Sequence, residues 1–153
     1  MISITRKLEF DAGHRIPHHN GQCRNLHGHR YTLELTVTGD LMPEDGRSDE
    51  GMVVDFGDVK KLACAHLVDR WDHAFLVWKG DVELVAFLAS LPDHKTVVLD
   101  HVPTVENLAA IALATLAPPF AARFGRKLAL TNVRIYETPN CWADCCAGAA
   151  GGV

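Results

Sequence analysis

Apolar and polar positions alternate along two long stretches of the chain. Over residues 2–14, Ile2, Ile4, Leu8, Phe10 and Ala12 share one parity, interrupted by Arg6; this is the pattern of a half-buried strand. Over 29–39, Tyr31, Leu33, Leu35 and Val37 face one way and Thr32, Glu34, Thr36 and Thr38 the other, which predicts a second strand of antiparallel type. Residues 43–51 read as a loop and Met52–Val54 as a short strand. From Asp55 to Trp71 the period lengthens. Val59, Leu62, Ala63, His66 and Leu67 share a helical face, with Asp55 or Asp58 as the N-cap. A short helix over 82–90 stops near Pro92, and Thr96–Leu99 reads as a buried strand. Thr104 caps a second main helix that Pro118-Pro119 ends, and 128–137 is the last strand, with Val133, Ile135 and Glu137 in one parity. Hairpin-joined strands with a pair of helices on one face make the fold α+β.

The chain has 153 residues, 48% apolar and 22% charged, enough for one domain with a hydrophobic core. That balance excludes a disordered, collagenous or disulfide-dense chain. Charges interrupt the apolar runs before about 18 residues, so no membrane span is expected. Met1 leads straight into the first strand without a signal-peptide pattern, which reads as cytoplasmic. The net charge of −4 disfavours a nucleic-acid partner. The five cysteines are odd in number and unevenly spaced, as reduced thiols are. Cys64 lies on the apolar helical stretch and reads as a core residue. Cys141, Cys145 and Cys146 fall in a tail over 141–153 that reads as flexible, leaving 1–140 as the domain.

Nine histidines change the picture, because imidazole brings both metals and protons to a site. His27 and His29 are two apart on a strand and so project to one face, that of Tyr31 and Leu33. His14 ends the first strand in the parity of Phe10 and Ala12. If the two strands pair as a hairpin, three imidazoles meet at one end of the sheet. Such a set suits Zn²⁺ and leaves a fourth position open, as catalytic sites do. Cys23 precedes His27 by four residues. It is either a thiolate base activated by a nearby cation or a fourth ligand that closes a structural site. Asp72-His73 sits between Trp71 and Ala74-Phe75-Leu76; either side chain can orient or carry a proton, although sequence neighbours bond each other poorly. Glu137 points into the covered face and needs a cation or a ligand with paired N–H groups. Glu106 fits the first turn of a helix by its charge alone.

Phe10-Asp11-Ala12-Gly13-His14, Cys23-x3-His27-Gly28-His29, Met52-Val53-Val54-Asp55-Phe56, Asp72-His73, Pro103-Thr104-Val105-Glu106-Asn107 and Tyr136-Glu137-Thr138 occur in that order. Together they resemble the 6-pyruvoyl-tetrahydropterin synthase family, including the bacterial 6-carboxy-tetrahydropterin synthases of queuosine biosynthesis. The resemblance covers nearly the whole chain, and the three residues between Cys23 and His27 look like the 6-carboxy branch. It implies a tunnelling fold, a four-stranded antiparallel sheet with two helices on one face. Three sheets would close a barrel and two trimers stack into a homohexamer, with active sites between subunits. The implied activity is zinc-dependent conversion of 7,8-dihydroneopterin triphosphate to 6-carboxytetrahydropterin, releasing acetaldehyde and triphosphate. In the implied roles, His14, His27 and His29 hold Zn²⁺, Cys23 removes a proton, and Asp72 and His73 relay protons. Glu137 holds the pterin, and Thr104 and Glu106 line its pocket. Arg15 and Arg24 are the cations nearest in sequence for the triphosphate. The alternatives are a 6-pyruvoyl-tetrahydropterin synthase, and a zinc- or pterin-binding protein without catalysis whose metal site Cys23 closes. Trp71 stands where the family carries leucine.

Overall fold

The two alternating stretches form β1 (Ile2–His14) and β2 (His27–Gly39), paired antiparallel along their whole length with Ile2 opposite Gly39 and His14 opposite His27. The computed structural model describes residues 1–148. β2 starts two residues earlier than the alternation alone predicts, because His27 and Gly28 continue the ladder opposite His14 and Gly13. A Cβ at Gly28 would lie 2.8 Å from the Ala12 carbonyl oxygen, so only glycine lets the strands close between the two histidines.

The sheet has six strands rather than the expected four, in the order β4-β3-β1-β2-β5-β6. β5 (Leu128–Thr138) pairs antiparallel with β2, and β6 (Cys141–Cys146) antiparallel with β5. β3 (Ala74–Trp78) runs parallel to β1, and β4 (Thr96–Leu99) parallel to β3, so the sheet is mixed. Residues 141–146, expected in a flexible tail, are therefore a strand. Arg134 on β5 holds Asp144 on β6 through a paired contact of 2.8 and 2.9 Å, and Cys145 packs on the core. The part of the expected tail over 149–153 lies outside the described residues. Met52–Val54 is not a strand. Two backbone bonds, Met42 N–H to the Met52 carbonyl at 2.8 Å and Gly51 N–H to the Met42 carbonyl at 3.0 Å, shape this loop. Val53 and Val54 pack on the core without a partner strand.

Thr36 pairs with Asn132 but Val37 with Leu130, leaving Thr131 as an extra residue on β5. This bulge reverses the parity of the strand. Leu128 and Leu130 before it, and Val133 and Ile135 after it, consequently all reach the same core.

That core lies under two helical rods on one face. The first is α1 (Phe56–Ala63), a π-helical turn (Cys64–Val68) and α2 (Asp69–Trp71), run together. Of the two candidate caps Asp55 is the one used, its carboxylate accepting from Gly57 N–H at 2.6 Å. The second rod is α4 (Val105–Phe124), which continues through Pro118 and Pro119 where it was expected to stop. Each proline removes a donor from the ladder. Leu116 and Phe120 are nevertheless buried on either side of the pair and hold the last turn on the sheet, until Gly125 ends it at φ 62°. By length and composition the segment Val105–Lys127 could cross a membrane, although Glu106 and Arg123 bound its uncharged run at 107–122, short of the roughly 18 residues of the expectation. Its Leu108, Ala109, Ala112, Leu116 and Phe120 are buried, and the helix packs on β5 and β6. α3 (Val82–Ser90) covers the opposite face, where Leu84 and Leu88 meet Val77 in a separate small cluster. Trp71 is buried edge-on against Phe10, with ring centroids 5.8 Å apart.

Leu33 is fully buried at the centre of the ladder, between Leu8 and Ile135. Leu33→Ala is expected to lower the unfolding free energy by about 2–5 kcal/mol through lost burial and the cavity left behind, as read from the midpoint of a urea titration.

Candidate active site

The β1–β2 register brings His14, His27 and His29 together. One ligand atom from each lies within 4.8 Å of the others. His14 Nδ1 is 2.8 Å from the Pro103 carbonyl, and His27 Nδ1 is 2.7 Å from the Asn25 carbonyl. A carbonyl oxygen only accepts, so each Nδ1 carries the hydrogen and each Nε2 keeps its lone pair when the ring is neutral. These two Nε2 atoms are 3.1 Å apart. His29 Nε2 is buried without a hydrogen-bond partner, and 3.7 Å from Glu137 Oε1. Three clustered imidazoles, two of them fixed from behind by backbone carbonyls, are a ready-made cation site of the kind zinc takes. Burial lowers the pKa of both His14 and His29, for His14 against the pull of the Pro103 hydrogen bond. Neutral, metal-competent rings are thereby favoured.

Cys23 lies on a 3-10 turn (Gln22–Arg24) in the loop joining β1 to β2. It is half-buried and is not part of the three-histidine group, whose ligand atoms all lie within 4.8 Å of one another. The reading in which Cys23 closes the site as a fourth ligand therefore loses its geometric basis. Beside the histidines stands a residue that sequence reasoning used only as a core marker. Tyr31 is fully buried, edge-on to His14 and His29, and its hydroxyl has no partner. Burial pushes its pKa up, and the charges of Glu137 and Cys23 add to the effect.

Asp72 and His73 do bond each other, at 2.9 Å between Asp72 Oδ2 and His73 Nδ1. The poor geometry expected of sequence neighbours is avoided because His73 adopts a left-handed backbone, φ 59°. Asp11 holds the pair on β1: its N–H donates to Asp72 Oδ1 at 2.9 Å, and its carbonyl accepts from His73 N–H at 2.6 Å. The Asp11 N–H is the main reason the Asp72 carboxyl lies below the usual carboxylate range, with His73 adding to it. The Asp11 carboxylate is itself gripped by Arg30 at 3.0 and 3.1 Å.

Two open clefts meet at His29 and Arg30. One, of about 620 Å³, includes His27, His29 and His73; the other, of about 710 Å³, includes His29 and Glu137. The parity expected for Glu137 thus places it beside the histidines, half-buried at the strand's end. Thr104 caps α4, accepting from Asn107 N–H at 3.3 Å, and Glu106 is exposed. Neither lines the two clefts. Arg15 is paired with the buried Asp81 through two contacts of 2.6 Å and is not free for a triphosphate. Asp11 and Pro103 enter the sequence reading only as members of the quoted motifs, without a role of their own, and Asn25 and Arg30 carry no signal beyond adjacency to motif residues.

The 6-pyruvoyl tetrahydropterin synthase family profile matches residues 3–147. The chain is 39% identical over 145 residues to the 6-carboxy-5,6,7,8-tetrahydropterin synthase of Rickettsia bellii, covering 94% of this chain and 99% of that protein. It is 38% identical over 138 residues to a probable 6-carboxy-5,6,7,8-tetrahydropterin synthase of Halobacterium salinarum, covering 90% and 82%. Among solved structures, an uncharacterized protein from Wolinella succinogenes shares the fold with TM-score 0.76 at 21% identity, covering 95% of this chain and 98% of that one. The 6-pyruvoyl tetrahydropterin synthase of Caenorhabditis elegans does so with TM-score 0.64 at 24% identity, covering 95% and 94%.

Chelator-stripped protein is expected to take up Zn²⁺ stoichiometrically, and His29→Ala to abolish that uptake, as read by metal analysis after gel filtration. The lowered pKa of His14 and His29 also sets a pH dependence. Below the ordinary histidine value of about 6.5 the unfolded chain takes up protons that the folded rings refuse, so the stripped protein should lose stability as pH falls through that value. Thermal melts on either side of it test the sign.

Proposed function

The chain belongs to the 6-pyruvoyl tetrahydropterin synthase family, and on that premise we propose that it is a zinc-dependent 6-carboxy-5,6,7,8-tetrahydropterin synthase. The substrates are 7,8-dihydroneopterin triphosphate and one water; the products are 6-carboxytetrahydropterin, acetaldehyde and triphosphate. Its place is queuosine biosynthesis in the cytoplasm. The names of relatives at 39% and 38% identity support the 6-carboxy branch. The observation that carries the reading is the convergence of His14, His27 and His29, of which His27 and His29 line a cleft together with His73.

His14, His27 and His29 would hold the zinc, which when bound supplies Lewis acidity toward the hydroxyls of the substrate side chain. Cys23 removes a proton from the side-chain carbon through its Sγ. Asp72 and His73 carry protons to and from the intermediate; Asp72, held ionised by the Asp11 N–H, orients the His73 ring through Nδ1 and leaves Nε2 to face the substrate. Glu137 accepts two N–H groups of the pterin, the pairing a half-buried carboxylate next to a neutral His29 favours. Thr104 and Glu106 line the pterin pocket of a neighbouring subunit in a homohexamer built as a dimer of trimers. Two features support that assembly: Thr104 and Glu106 lie outside the chain's own clefts, and among the described residues β4 and β6 are sheet edges without a partner strand.

Incubation of the zinc-loaded protein with 7,8-dihydroneopterin triphosphate is expected to give 6-carboxytetrahydropterin and acetaldehyde by mass spectrometry. Release of 6-pyruvoyl-tetrahydropterin would move the chain to the other branch, and recovery of unchanged substrate would leave a binding protein. Cys23→Ala is expected to keep its zinc and lose turnover. For Glu137→Ala the expectation is a KM raised by about tenfold or more, the equivalent of one lost charge-assisted contact, at unchanged zinc content.

A further inference from the structure

The Asp72–His73 pair sits where a helix ends, and something must hold that end in place. Asp72 is the first residue past α2, its N–H still bonded to the Val68 carbonyl at 2.8 Å, with an extended ψ of 129°. His73 then turns left-handed, a conformation that costs a non-glycine residue of order 1–3 kcal/mol and persists only where its surroundings enforce it. At such an end the last carbonyls have no partner within the helix. Here two of them, of Asp69 and Asp72, accept from one side chain: Lys95 Nζ lies 2.8 Å from the Asp69 oxygen and 2.5 Å from the Asp72 oxygen. Lys95 makes no contact with a carboxylate among the ion pairs of the described residues.

The backbone of Lys95 is fixed independently. Its carbonyl accepts from Phe75 N–H at 3.0 Å at the start of the β3–β4 ladder, two residues beyond His73. The connection that carries Lys95 is also pinned at its far side, where the buried Asp81 grips Arg15, the residue after the ligand His14.

We propose that Lys95 is a positioning residue for the proton-carrying pair. By closing the carbonyls of Asp69 and Asp72 it holds the left-handed turn at His73, and that turn holds the His73 Nδ1–H on the Asp72 carboxylate. The inference rests on the role given above to Asp72 and His73 as proton carriers.

The test uses the full chain, loaded with zinc, as Lys95→Met and Lys95→Arg. In the unaltered protein the neutral His73 ring is held as the Nδ1–H tautomer, the less common form in free imidazole, and its nitrogens are distinguished by 15N NMR. Lys95→Met should release it toward the Nε2–H tautomer and lower kcat about tenfold, with KM and zinc content unchanged, as expected for a misplaced proton carrier. Lys95→Arg, which keeps donors for both carbonyls, should restore both readouts. A lower melting temperature in Lys95→Met, with tautomer and kcat retained, would make Lys95 a helix cap only and overturn the proposal. If the unaltered protein leaves dihydroneopterin triphosphate intact, the functional reading fails, while the tautomer still decides whether Lys95 sets the pair.

Discussion

Two imidazole nitrogens face each other at 3.1 Å with their lone pairs inward, and most of the architecture exists to keep them there. Each ring is prevented from turning by a carbonyl behind it, from Pro103 at the head of α4 and from Asn25 in the β1–β2 connection. Such an arrangement is repulsive for neutral rings and becomes favourable when a cation lies between them. His14 is almost completely buried, so protonation, the alternative way to relieve the repulsion, is opposed by desolvation. Burial thus keeps the His14 ring neutral, the form in which its Nε2 lone pair is open to a cation.

Strand parity supplied the strongest sequence evidence, and the register kept it: His14 opposite His27, His29 opposite Ala12, all on the face that Tyr31, Leu33 and Leu35 bury. What was illegible has identifiable causes. β3 is five residues long and parallel, so its run Ala74–Trp78 shows neither a hairpin signal nor a full alternating period. β6 is written in cysteine, alanine, tryptophan and aspartate, a composition without the usual strand preference, and its order comes from cross-strand partners such as Arg134. The prolines of α4 are a genuine local stop signal that burial of Leu116 and Phe120 overrides. The Asp72–His73 contact depends on one positive φ, which no spacing rule reveals for histidine.

The polar part of the site is a set of backbone contacts more than of side-chain contacts. Carbonyls of Pro103, Asn25 and Asp11, and the N–H of Asp11, orient His14, His27, His73 and Asp72. These groups remain whatever side chain is present, so their neighbours in sequence are free to vary without disturbing the rings. Arg15, one residue from His14, is likewise committed to Asp81 and serves as an anchor of the scaffold.

The extra residue at Thr131 carries a consequence for how this chain tolerates change. Val133 and Ile135 downstream of it on β5 owe their side to that unpaired position, and Glu137 keeps their parity at a second irregularity, between Tyr136 and Thr138 in the pairing with β6. A one-residue insertion or deletion between Thr131 and Glu137 would swap the carboxylate to the opposite surface while leaving composition and strand length nearly untouched. Gains and losses in the loop over residues 40–55, by contrast, leave that parity alone. The strand behaves as a frame-sensitive stretch within a protein otherwise read by content, and lineages that keep Glu137 in place must change this strand by substitution or by paired residues.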